Sequence, residues 1–524
     1  MFKYLKNDIP ASIVVFFVAL PLCLGIALAS DAPPLSGIIA GVIGGIIVGS
    51  LSGSKIGVSG PAAGLAAIVA TAIATLGNFE AFLLAVVLAG ALQILFGMLK
   101  MGIIGYFFPN SVILGMLTGI GIIIILKQIP HLFGYDSEPM GADSFNEVSG
   151  ENTFSAIAHI SEHITLGALI VGILGIAIIL FWDNILGKIS KFFKLIQGPI
   201  IAVLLGTILK LIFDDTSFEI TQNHLVKIPV ANSFSELSSF ITFPDFSYIK
   251  SKDVWTVAFT LALVASLETL LSVEATDKLD PDKNVTPTNR ELFAQGTGNM
   301  ISGFIGGLPI TQVIVRSSAN VQSNAKSKMS TIIHGLLLLI AVLALPSVLN
   351  HVPNAVLASV LIIVGYKLAK PSLFKKMWYK GWTQFLPFIT TIIVIVFTDL
   401  LKGIFVGLSI GIIVVLIKSY QNSLFLHREQ HGDREHVKMT LAEEVTFLNK
   451  ATIQKELAEL PENSHLELDI HKTRYLDYDV IEILEDFVVQ AKNKNIQVHL
   501  KSERGNVDNP SSYFEFFKLK KKLD

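Results

Sequence analysis

Two short stretches decide how this chain folds: VSGPAAG at 58–64 and GGLPITQ at 306–312. Both interrupt long apolar runs. Ser59 and Gly60 suit a helix N-cap, and Pro61 suits the first helical position. Gly307-Leu308-Pro309, followed by Thr311 and Gln312, reads the same way. Each break then starts a half-helix inside an apolar region. A helix start carries unpaired N–H groups and about half a positive charge. Two such starts that face each other form an anion site made of backbone. The alternative is a pair of Gly/Pro kinks of the sort that membrane helices tolerate. Their matching places in the two halves of the chain favour the first reading.

Those halves are visible as a repeat. PNSVILGMLTGIGIIII begins at Pro109 and PNAVLASVLIIVGYKLA begins at Pro353, 244 residues later. The same offset carries the apolar run 10–29 onto 254–273, and nearly the same offset carries Pro61 onto Pro309. With about 20 apolar residues needed per crossing, fourteen spans emerge: 10–30, 35–51, 57–76, 79–99, 106–127, 164–182, 196–213, 254–273, 291–307, 310–325, 329–349, 354–369, 382–399 and 401–420. Corresponding elements lie seven spans apart. Seven is odd, so the second copy is inverted relative to the first, as in secondary transporters.

Composition agrees. Hydrophobic residues make up 52% of the 524 and charged residues 16%, against about 25% charged in soluble domains. Mean hydropathy is +0.61. An ordinary soluble enzyme and a disordered chain are excluded. The formal charge of −2 implies no nucleic-acid partner. The single cysteine, Cys23, excludes a disulfide framework and reads as a small buried hydrophobe. Lys3 and Lys6 precede the first run, but no small-residue cleavage site follows, so it reads as a span and not a cleaved signal.

Loop charges set the direction. The stretch 129–163 has Asp136, Glu138, Asp143, Glu147, Glu151 and Glu162 and no Lys or Arg, so it faces outward. Lys188, Lys191 and Lys194, then Lys278, Lys283 and Arg290, then the lysines of 367–380, face inward. The expected localisation is a multi-pass protein of the cell (inner) membrane, with the amino terminus and the tail after 420 both cytoplasmic.

Ionisable groups inside spans point to function. Glu268 lies well inside the eighth span, and Ser272 follows four residues later on the same helix face. Together they suit a Na⁺ or H⁺ site, or a buried packing pair. Arg316, in the tenth span, either reinforces the helix dipoles in holding an anion or neutralises Glu268. Gln295, Thr297 and Asn299 make the ninth span polar and either support the site or run between other helices. The tail changes character. HREQHGDREH reads as a linker over 421–436, and the rest alternates strands and helices over 437–524, a small α/β domain. His465, His471 and His499 have no ligand partners in sequence.

The whole resembles the sulfate permease family, bacterial relatives of the solute carrier 26 anion transporters. The resemblance is carried by ALPLCLGIALAS at 19–30, IGVSGPAAG at 56–64, SLETLLSVEATDKL at 266–279 and RSSANVQSNAKSKMS at 316–330. The tail resembles a short STAS domain. The resemblance implies a core (about 10–99 and 254–349) that slides as an elevator past a gate (about 106–213 and 354–420), and a homodimer whose STAS-like part serves assembly and regulation. It implies anion contacts at Ser59, Gly60, Ala62 and Ala63, at Thr311, Gln312, Val313 and Ile314, and at Leu22 and Cys23 of the first span. Arg316 matches the family's arginine, and Glu268 and Ser272 match the Na⁺ positions of sodium-coupled members. Two departures stand out. The first span has no acidic residue in its interior, Asp31 falling just past it, which weakens proton coupling there. Tyr478 and Asp479 occupy the place of the phosphorylatable serine of STAS antagonists.

The expectation is therefore an all-α polytopic membrane protein with a 7+7 inverted repeat and a small α/β tail. It is not an enzyme and uses no cofactor. It moves small inorganic anions, bicarbonate or sulfate, coupled to Na⁺ or H⁺, in contact with membrane lipid. Rival readings are an uncoupled channel or exchanger, a nucleobase permease of the same fold, and a membrane-anchored regulator with vestigial transport.

Overall fold

A computed structural model describes residues 2–136, 139–140, 145, 152–186, 189, 197–228, 241–421, 424–431 and 434–517. The loop charges Glu138, Asp143, Glu147, Glu151, Lys188, Lys191 and Lys194 lie outside the described residues. Every expected span coincides with a described helix. Spans 1 to 7 are Leu5–Ala29, Pro34–Leu51, Ala63–Leu76, Phe79–Met98, Asn110–Leu132, Leu166–Phe181 and Gly198–Phe213. Spans 8 to 14 are Lys252–Leu279, Thr288–Phe304, Ile314–Gln322, Met329–Ala344, Asn354–Leu368, Trp382–Phe397 and Leu400–Gln421. Among the described residues, eight helices are long and apolar enough to cross a bilayer alone. Spans 3 and 10, which follow the two breaks, are short.

The repeat appears at three levels. Pro109 and Pro353 hold the same place, the N-cap of spans 5 and 12, with extended backbone at both. Span 4 packs on spans 8 and 9, as span 11 packs on spans 1 and 2. Span 5 packs on spans 12 and 13, as span 12 packs on spans 5 and 6. The third sign is local. Three residues before each half-helix form a short strand, β1 (Ser59–Pro61) and β2 (Ile310–Gln312), and these pair antiparallel: Ser59 with Gln312, Gly60 with Thr311, Pro61 with Ile310. Equivalent segments that meet head to tail are what an inverted repeat requires.

Pairing in this way corrects the expected caps. Ser59, Gly60 and Pro61 are strand, not cap and first helical position. The helical turns begin at Ala63 and Ile314, behind Ala62 and Val313, neither of which caps with a side chain. A ladder satisfies backbone groups that a lone buried helix start would leave open. Span 1 also begins earlier than expected. Its first turn contains Asp8, fully buried, which accepts hydrogen bonds from the Lys326 and Ser327 backbone N–H groups at 2.7 and 3.1 Å.

The chain divides into two compact units, Met1–Leu408 and Ser409–Asp524. In the second unit, the expected linker is structured. β3 (Leu424–His431) and β4 (Arg434–Leu441) form an antiparallel hairpin. Its charged residues sit on an outer strand, where charge guards an open sheet edge, and this hid the strand pattern. After β5 (Glu444–Val445), β6 (His465–Asp469), β7 (Tyr475–Leu476), β8 (Gln497–Ser502) and β9 (Gly505–Asp508), the main sheet runs β3-β4-β6-β8-β9, and β5 pairs with β7. Val437, Met439, Leu466, Leu468, Val498 and Leu500 form its buried face with helices Lys450–Ala458 and Tyr478–Asn493. The opposite face gathers His436 and His465, whose rings stack at 4.5 Å.

Candidate anion-binding site

The site is built on β1 and β2. Asn299 of span 9 reads both polar groups of Ile310: its Nδ2 donates to the Ile310 carbonyl at 2.9 Å and its Oδ1 accepts from the Ile310 N–H at 2.5 Å. Gln295, one turn earlier, donates to Ser59 Oγ at 2.7 Å. The polar face of span 9 therefore holds both strands, while Thr297 points away and bonds its own helix. Gln312 faces span 8, with its N–H directed at Thr269 Oγ1 (3.3 Å) and its Nε2 donating to Thr276 Oγ1 (3.1 Å). Ser317 Oγ accepts from the Val58 N–H at 3.0 Å and donates to the Val313 carbonyl one turn back at 2.7 Å, tying span 10 to the approach to β1.

Beside this platform lies a cavity of about 90 Å³. The first turns of both half-helices line it, through Ala63 and Gly64 and through Val313 to Arg316. First-turn N–H groups have no partner four residues earlier, so both positive helix ends meet the same space. Span 1 adds Leu22 and Ile26, and span 8 adds Glu268 and Ser272. The far wall comes from Ile120, Lys127 and Gln128 of span 5, with Leu361, Ile395 and Leu400 of the last three spans. A largely apolar shell around few charges keeps the effective dielectric low and strengthens each electrostatic contact.

Seven predicted residues share this lining: Leu22, Ala63, Glu268, Ser272, Val313, Ile314 and Arg316. Cys23, Ser59, Gly60, Ala62, Thr311 and Gln312 do not. Ser59, Gly60, Thr311 and Gln312 are used by the ladder, and Ala62 is buried behind the first turn. Cys23 is fully buried against span 2 at Gly41. Arg316 is 1% exposed. Its Nη1 has no hydrogen-bond partner, and its Nη2 points toward the Pro61 carbonyl at the outer limit of 3.5 Å. The guanidinium crosses directly over Gly60, where a Cβ would stand 2.1 Å from Nη1. Gly44 of span 2 plays the same role from behind, since a Cβ there would stand 2.4 Å from the Ser59 carbonyl oxygen.

The Sulfate permease family profile matches residues 5–394. The chain belongs to this family. Among curated members, it is 26% identical to the putative sulfate transporter YvdB of Bacillus subtilis, over 81% of this chain and 76% of that one. It is 24% identical to the putative sulfate transporter YbaR of the same organism over 95% of both chains. It is 27% identical to the bicarbonate transporter BicA of Picosynechococcus, over 63% of this chain and 54% of that one. The fold matches the transmembrane domain of a cyanobacterial BicA (TM-score 0.54, 22% identity, 79% of this chain and 98% of that one). It also matches murine Slc26a9 in the inward-facing state (TM-score 0.65, 17% identity, 95% and 86%). These relatives are transporters of inorganic anions, and the chain is a multi-pass membrane transporter of that family and not an enzyme.

Sequence reading of this sulfate permease family member missed Lys127 and Gln128. The apolar run ends at Lys127, which therefore read as the edge of span 5. The helix continues to Leu132 and leaves Lys127 only 8% exposed. The available signal was Lys127-Gln128 between apolar Ile124–Leu126 and Ile129, a polar pair with helix on both sides.

Proposed function

We propose that this chain is a secondary carrier of a small inorganic anion, bicarbonate or sulfate, coupled to Na⁺ or H⁺. One observation carries the reading: two helix starts, clasped by β1 and β2, line one small cavity with Arg316, Lys127 and Glu268. The three ionisable side chains in that lining sum to one positive charge, which suits a monovalent anion. A cation at Glu268 and Ser272 raises the sum to two, which suits a divalent anion or tighter binding of a monovalent one. The coupling is reciprocal, so each ion raises affinity for the other by the same factor.

The packing supports an elevator. Spans 1–4 and 8–11 pack among themselves, as do spans 5–7 with 12 and 13, and the cavity lies between the two groups. The anion contacts proposed for the backbone are the first-turn N–H groups at Ala63, Gly64, Ile314 and Val315. Loop lysines support a cytoplasmic amino terminus and tail in an inner membrane, and the STAS-like unit serves homodimer assembly and regulation.

The test is flux into proteoliposomes for a panel of anions, each with and without Na⁺ and a pH gradient. Saturable uptake of bicarbonate or sulfate that rises with Na⁺ or H⁺ is expected. Glu268→Gln keeps uptake but removes its cation dependence. Cation dependence unchanged in that variant refutes the coupling site, and uptake of neither anion refutes the substrate class.

A further inference from the structure

We propose a second anion site, separate from the central cavity, that takes a phosphate group where spans 1, 2 and 11 and the turn after span 8 meet at one end of the molecule. It is a cavity of about 410 Å³ lined by Tyr4, Lys55, Asp282, Lys326, Ser327 and Lys328. It shares no residue with the central cavity and does not depend on the proposed transport reaction.

The charges there are uneven. Three ammonium groups line the cavity with one carboxylate, Asp282, which has more than half its side chain exposed, and the Asp280 carboxylate acts on Lys326 from the turn behind it. Lys326 reaches Asp282 at 3.3 Å. The other two lysines are held by neutral oxygens: Lys55 donates to the Asn284 amide oxygen at 2.6 Å, and Lys328 donates to the Ser52 carbonyl. Glu291 lies near Lys328, but its two oxygens accept from Ser52 Oγ and Gln295 Nε2. Arg290, bonded to the Leu51 carbonyl, adds a further positive charge beside Lys328. Burial, and then Arg290, push the Lys328 ammonium below its usual range. A bound anion would reverse that effect.

The walls are built in advance. Asp8, fully buried, accepts the Lys326 N–H, the Ser327 N–H and the Ser327 hydroxyl, and so pins the turn that carries Lys326 and Lys328. Asp280 accepts the N–H groups of Asp282 and Asn284 at 2.9 and 3.1 Å and the Asn284 side-chain amide at 2.7 Å, and so pins the opposite turn. Lysines that merely obey the inside rule extend into water. Here Lys55 from one segment and Lys326 and Lys328 from another converge on one space, and buried carboxylates fix the turn of Lys326 and Lys328 and the facing turn of Asp282. A fixed cavity loses little entropy on binding. Its spread of N–H donors suits the several oxygens of a phosphate better than a bare halide. Tyr4, beneath the Lys3 ammonium at 5.6 Å, is the kind of ring found at headgroup level. The phosphate can come from an anionic lipid or from solution.

The test uses the purified full-length protein in nanodiscs of phosphatidylcholine alone or doped with phosphatidylglycerol, with melting temperature as the readout. A parallel arm titrates inorganic phosphate into the phosphatidylcholine discs. We expect phosphatidylglycerol to raise the melting temperature, with the half-saturating lipid fraction rising about fivefold for each lysine replaced by Gln. K55R/K326R/K328R keeps the shift and K55Q/K326Q/K328Q loses it. R316A, which alters the central cavity, leaves it intact. A phosphate-only shift with the same lysine dependence assigns the source to solution, and a lipid-only shift assigns it to the bilayer. If the triple Gln variant does not fold, K55Q alone reads the same effect. A shift undiminished by lysine removal, or no shift from either source, overturns the proposal.

Discussion

Gly60→Ala is the sharpest perturbation of the candidate anion site. An added Cβ stands 2.1 Å from Arg316 Nη1. Ordinary contact begins near 3.4 Å, so the guanidinium retreats by about 1.3 Å. The clashing atom is the tip of a flexible side chain, so the β1–β2 ladder stays and the arginine moves. The cost in stability is therefore at the low end of overpacking, about 1 kcal/mol. The cost in binding is electrostatic. For an anion about 4 Å from the guanidinium at an effective dielectric of about 20, the attraction falls from about 4 to about 3 kcal/mol over that retreat. Affinity drops about fivefold for a monovalent anion and about thirtyfold for a divalent one. Dissociation constants for bicarbonate and sulfate on the purified protein measure both. The double variant Gly60→Ala/Arg316→Ala should bind no more weakly than Arg316→Ala, because the first change acts through the second. Additive losses, or wild-type affinity in Gly60→Ala, refute the argument.

Three further outcomes follow from the same structure. Asn299→Ala leaves the Ile310 N–H and C=O buried and unpaired, at about 1–3 kcal/mol each, and thermal unfolding of the variant should show a loss of about 2–6 kcal/mol. Lys127→Gln should weaken sulfate binding more than bicarbonate binding, and equal losses would remove Lys127 from the anion's field. Asp136, just beyond span 5, accepts from His131 Nδ1 at 2.5 Å and His224 Nδ1 at 2.7 Å. Burial raises its carboxyl, but these bonds outweigh burial and hold it at about 2. A lowered folded-state value stabilises above the unfolded value of about 4 and is lost as pH falls toward about 2. The melting-temperature gap between wild type and Asp136→Asn should therefore be full at neutral pH, worth about 2 kcal/mol, and close below about pH 4. A gap constant with pH would refute the linkage.

Apolar runs and paired Pro-Asn steps made the membrane architecture legible, because length and hydropathy in lipid have few alternative solutions. The half-helix starts were legible for the same reason that Gly and Pro punctuate any helix. The β1–β2 pairing was not, since three residues are too short for a period-two pattern and their partner lies about half the chain away. Lys127 was misplaced because a run that ends in a charge looks like the end of a span, whereas burial depends on what packs around it. The β3–β4 hairpin was read as linker because HREQHGDREH has the composition of a solvated segment, and only its partner strand gives it a place in the sheet.

Ile310, Thr311 and Gln312 lie in antiparallel register with Pro61, Gly60 and Ser59, and the Val313 N–H bonds the Val58 carbonyl beside them at 2.9 Å, so the two jaws of the candidate anion pocket are riveted together. A solute cannot be released by prising them apart. In the carrier cycle proposed above, the closed jaws travel as a single cargo holder. Variants that weaken this rivet should leak or stall before they change what is carried.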